Sequence, residues 1–129
     1  MSLHIVRLGS PRGPNEGTRI GTVRRPPRGV PKAEFAAQNW YDVWYPTLAP
    51  SAETMKLGQA ATTPAQWQAF VRQYKAEMAA PEAKHALNLL ATLSHANHLA
   101  VGCYCADEAH CHRAVLRSLL QEAGAKMVD

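Results

Sequence analysis

Residues 99–116 read Leu99-Ala-Val-Gly-Cys103-Tyr-Cys105-Ala-Asp-Glu-Ala-His-Cys111-His112-Arg113-Ala-Val-Leu116 and join two periodicities. Residues 99–105 are nearly continuously apolar, the pattern of a strand covered by helices on both faces. Further on, His112, Val115, Leu116, Leu119 and Leu120 recur at helical spacing, with Gly124 placed to end the helix. A strand-to-helix turn points backbone N–H groups and the positive end of a helix dipole at one spot, where anions and thiolates are stabilised. The turn carries all three cysteines of the chain, two of its six histidines and an arginine.

Working outward, residues 3–8 and 18–23 read as two further strands, with Gly21 a weak point or a close approach. Residues 9–17 are a loop by composition. Arg24-Arg-Pro-Pro-Arg-Gly29 cannot be a helix or a central strand, because its prolines lack donors. Pro31 is expected to open a helix through Phe35, Ala36, Trp40 and Val43 that stops before Pro46. Residues 47–61 look irregular. Thr63-Pro-Ala-Gln66 starts a helix with Trp67, Phe70, Val71, Tyr74 and Met78 on one face. Pro81 begins another, with Ala86, Leu89, Leu90 and Leu93 inward. Strands at both ends with helices between predict a single α/β domain over residues 1–129, a small, mostly parallel sheet covered by helices. If residues 18–23 and 99–105 run parallel, the arginine loop and the cysteine turn leave the same sheet edge, where open α/β sheets bind ligands.

Composition narrows the class. The chain has 129 residues, 47% hydrophobic and 19% charged, ordinary for a globular domain. Three cysteines within nine residues make no disulfide framework. With no leader pattern and no membrane-length apolar run, a cytoplasmic protein without a membrane partner is expected. The net charge of +4 divides into +6 for residues 1–32 and −2 for the remainder. A basic segment on a slightly acidic body points to an anionic partner, or to solvated loop arginines and nothing more.

Three chemistries fit the cysteine turn. In the favoured one, helix N–H groups, Arg113 and the arginine loop surround a phosphate or carboxylate. Cys111 then acts as a nucleophile with His112 or His110 as base. Neighbouring helical residues project about 100° apart, so Cys103 or Cys105 looks the better partner for His112. Asp107 as helix cap would place Cys111 one turn inside the helix; a later cap would place it at the terminus. In the second, Cys103, Cys105, Cys111 and His112 (or His110) bind zinc, although Cys-x-Cys on a strand is not the usual knuckle. In the third, the thiols are buried small hydrophobes or a redox pair. The aromatics Trp40, Tyr41, Trp44 and Tyr45 read as core packing, or as a stacking platform in a non-catalytic nucleic-acid-binding module.

With these motifs in view, the chain resembles the family known as domain of unknown function 488, particularly its YeaO-like branch. The family pattern Arg-(hydrophobic)₃-Asp-Arg-Leu-Trp-Pro-Arg-Gly is similar to Arg19-Ile-Gly-Thr-Val-Arg24-Arg-Pro-Pro27-Arg28-Gly29. Trp44 with Ala49-Pro50-Ser51, the Trp67, Phe70, Tyr74 helix, and Cys103 with Cys111-His112-Arg113 match its other elements. Val23 stands where the family has Asp, and Arg25-Pro26 where it has Leu-Trp, so any role of that Asp is missing here. The resemblance implies one α/β domain whose site joins the arginine loop to Cys-His-Arg. It supplies no activity. The expected function is binding of an anionic small molecule, phosphate or nucleotide, through Arg19, Arg24, Arg28 and Arg113, with enzymatic turnover left open.

Overall fold

Four strands form among the residues 1–105 and 111–128 that the computed structural model describes: β1 (Leu3–Arg7), β2 (Thr18–Gly21), β3 (Val43–Trp44) and β4 (Leu99–Cys103). They pair in the order β1-β4-β2-β3, every neighbour parallel. The register runs from Leu3 opposite Leu99 to Arg7 opposite Cys103, and from Thr18 opposite Leu99 to Gly21 opposite Gly102. Leu8, Thr22 and Tyr104 therefore leave the sheet at one common edge, as the sequence led us to expect for β2 and β4.

Helices α1 (Ala52–Ala60), α2 (Pro64–Met78) and α3 (Pro81–Leu93) lie between β3 and β4, and α4 (His112–Glu122) follows β4. None is long and apolar enough to cross a membrane, among the described residues. Thr63 caps α2 by accepting from the Gln66 N–H, with Pro64 at the first helical position, so this start is encoded locally. Gly124 ends α4 with φ +95°, a conformation that a side chain would strain. Ile20, Leu99 and Val101 join Phe70, Tyr74, Leu87, Leu90, Val115 and Leu116 in one core.

The helices do not cover both sheet faces evenly. Arg19 and Gly21 alternate with Ile20 and so occupy the opposite face. There the loops following β1 and preceding β3 cover the sheet: Arg19 bonds to carbonyls of Ser10 and Asn39, and Tyr41 lies over Gly21. A Cβ on Gly21 would stand 2.4 Å from the Tyr41 ring, which makes it the close approach rather than the weak point.

Three local expectations are corrected. The helix from Pro31 to Val43 shrinks to a short 3-10 turn at Lys32–Glu34. Asn39 takes φ 63°, and the Asp42 N–H and carboxylate pair with the Arg19 backbone, docking Val43 and Trp44 as an edge strand instead. Residues 47–61 are not irregular: Pro46–Leu48 is a 3-10 turn, and α1 begins at a Ser51 cap that accepts from the Thr54 N–H. Its stabilising acid comes from α2, where Glu77 accepts from the Ser51 N–H and from the Ser51 and Thr54 hydroxyls. On α3 the inward face is Ala83, Ala86, Leu87, Leu90 and Ala91, while Leu89 and Leu93 are exposed.

Candidate functional site

β4 delivers Cys103 to the carboxyl edge fully buried, and Cys111 returns to it as the N-cap of α4 in extended conformation, φ −137° and ψ 158°. Cys111 thus sits at the helix mouth, not one turn inside. The two sulfurs are in contact at 2.6 Å, and all three thiols are free. Asp107 and His110, considered above as cap and base, lie outside the described residues.

His112, the first residue of α4, is buried with its ring edge-to-face with Tyr74 at 5.6 Å. Nε2 lies 2.8 Å from the Thr22 carbonyl oxygen. A carbonyl can only accept, so Nε2 carries a proton, and in the neutral imidazole the lone pair is on Nδ1. That Nδ1 faces Cys111 Sγ at 3.8 Å. The expectation that Cys111 is poorly placed toward His112 rested on a helical projection angle, which does not apply because Cys111 is a cap with extended backbone. Cys103, Cys111 and His112 bring their ligand atoms within 4.8 Å of one another.

Cys105 is half-buried beside them. The Cys103 and Cys111 side chains that hydrogen-bond to it, then the Arg113 guanidinium and its own backbone N–H, hold its thiol well below the ordinary range against the opposing effect of burial. Cys103 moves the other way, raised by its hydrogen bonds to Cys105 and Cys111 and by burial. Cys105, Cys111 and His112 line a cleft of about 80 Å³ together with Gln59 and Trp67.

A larger groove of about 990 Å³ opens at the same sheet edge. Arg7, Arg25, Arg28, Trp40 and Tyr104 line it with Ser10 and the prolines of the arginine loop. Tyr104, the residue between Cys103 and Cys105, donates its hydroxyl to the Arg25 carbonyl at 2.8 Å and meets Trp40 edge-to-face at 5.8 Å. The cysteine turn and the arginine loop are therefore directly joined.

The four arginines singled out in the sequence divide. Arg28 lines the groove, and Arg113 is buried beside the thiols, donating to the Cys105 carbonyl at 2.6 Å. Arg24 donates instead to the carbonyls of Ala49 and Pro50. Arg19 is fully buried, pairing with Glu16 at 2.8 Å, and so is spent on the fold. Sequence reasoning missed Arg7 and Tyr104 as groove residues and Thr22 as the partner of His112. Arg7 and Tyr104 sit at the carboxyl ends of their strands, a positional signal available once the sheet is known to be parallel.

The family model DUF488-N3a, described as the active DUF488-N3 subclade, matches residues 3–124, and the chain belongs to this family. No curated protein and no solved structure matches it.

Proposed function

We propose that this DUF488 protein binds a phosphorylated, nucleotide-like small molecule in the groove at the carboxyl edge of its sheet. The observation that carries this reading is the lining: three guanidinium groups and two aromatic rings, with no carboxylate among the described residues that line it. Arg25 and Arg28 are exposed, so their charges meet a ligand phosphate without first giving up a buried partner. Trp40 and Tyr104, set edge-to-face, offer an aromatic corner in which a base can stack on one of the two rings. A groove of about 990 Å³ accommodates a ligand of that size.

The thiols flank Tyr104 in the chain, which makes a thiol-dependent step on the bound molecule the chemistry to look for. The description of the matched subclade as active points the same way. Calorimetric titration with nucleoside monophosphates and diphosphates, and with the unphosphorylated nucleosides, tests the reading. Binding that needs the phosphate and weakens in Arg28→Ala supports it. Equal affinity for nucleoside and nucleotide, or no binding by any of them, overturns it.

A further inference from the structure

We propose that Cys103, Cys111 and His112 form a buried binding site for a divalent cation of the zinc class, with the fourth coordination position open to the small cleft beside Cys105. This does not depend on what the groove binds.

The three ligand atoms lie within 4.8 Å of one another, and all three residues are buried. Each is fixed by a regular element: Cys103 ends β4, Cys111 caps α4 and His112 is the first residue of α4. Two thiolates and one imidazole are an established donor set for zinc with an open position. The imidazole is already oriented for the task. Its Nε2–H is held by the Thr22 carbonyl at 2.8 Å, the outer bond that metal-ligating histidines use, and this turns the Nδ1 lone pair toward Cys111 at 3.8 Å. A disulfide between Cys103 and Cys111 would have no use for that arrangement.

Charge balance favours the same conclusion. Binding converts two thiols to thiolates, releases two protons, and leaves an ion with two thiolates and a neutral imidazole, a set with no net charge among buried side chains. Zinc–sulfur bonds of about 2.3 Å set two sulfurs about 3.8 Å apart, so the Cys103 and Cys111 side chains open outward from their contact as they take the ion. Cys111 and His112 both line the cleft of about 80 Å³, which has room for a few waters. A water or small ligand entering there completes the tetrahedron, and Cys105 stands beside it as a free thiol.

The test uses the full chain purified without chelator or oxidant, assayed for zinc and for thiol reactivity. One zinc per chain is expected, with one thiol reacting rapidly and two more only after chelation. Cobalt(II) added to the apoprotein should give thiolate-to-metal absorption, retained in Cys105→Ser and lost in Cys111→Ser. The wild-type cobalt spectrum keeps the test decisive even where Cys111→Ser fails to fold. Protein free of zinc that shows no cobalt absorption, or a Cys103–Cys111 disulfide under these conditions, overturns the proposal, as does loss of the metal in Cys105→Ser.

Discussion

His112 Nε2 donates to the carbonyl of Thr22 at 2.8 Å across ninety residues of chain. This one bond couples the end of β2 to the mouth of α4 and decides which imidazole nitrogen faces the thiols. Thr22 is itself held by donating its hydroxyl to the Gly102 carbonyl at 3.0 Å, so the anchor belongs to the sheet. Whatever chemistry the cysteines perform, the imidazole enters it through Nδ1.

Removing Arg28 should weaken nucleotide binding by about 1–3 kcal/mol, the scale of a charge-assisted hydrogen bond. Arg24→Ala should leave affinity unchanged, because that guanidinium is bound to the Ala49 and Pro50 carbonyls and does not line the groove. Calorimetry on the two variants checks both halves. Equal effects would mean that the loop acts through its net charge alone.

Affinity for duplex DNA, measured against salt, separates a small-molecule site from a nucleic-acid surface. A nucleic-acid binder would show a log–log slope of about −0.9 per phosphate contacted. We expect DNA affinity to be weak and insensitive to Arg28→Ala, while nucleotide affinity responds to it.

Arg19→Met should destabilise the fold by about 3–5 kcal/mol, the cost of stranding one member of a buried ion pair. Arg19 has no exposed surface, and its partner Glu16 is nearly as buried. Adding Glu16→Gln to that variant should restore part of the loss. Chemical denaturation of the single and double variants measures it.

The same pair gives stability a pH dependence of known sign. Burial alone would raise the Glu16 carboxyl, but the Arg19 hydrogen bond, the Gly13 N–H and the charges of Arg19 and Arg12 together hold it below the ordinary glutamate value. A folded-state value below the unfolded one stabilises at pH above the ordinary glutamate range, and the contribution is lost as pH falls through the lowered value. Denaturation midpoints should therefore drop on acidification, and Glu16→Gln should flatten that drop.

Ser51→Ala removes a helix cap and should cost about 0.5–2 kcal/mol. Glu77→Ala should cost more, since it leaves the Ser51 N–H and the Ser51 and Thr54 hydroxyls without their carboxylate. Thermal unfolding of the two variants should rank them in that order.

Much of this molecule is written locally. Thr63-Pro-Ala-Gln caps α2 within one turn, and the apolar run into β4 followed by the helical stripe of α4 identifies a parallel α/β sheet. The cysteine turn marks the candidate site for the same reason, because its reactive residues lie within eleven positions. What failed was decided by contacts distant in sequence. Val43 and Trp44 became a strand because β2 offered an unpaired edge, and Ser51 became a cap with a carboxylate supplied by α2. The arginines look alike in sequence, yet Arg19 is buried with Glu16, Arg24 is spent on carbonyls, and Arg25 and Arg28 of the same loop face the groove. A side chain's charge is fixed by its identity, whereas its availability depends on which donors and acceptors the fold packs around it. For the same reason the free nitrogen of His112 could be read only after β2 and α4 had been brought together.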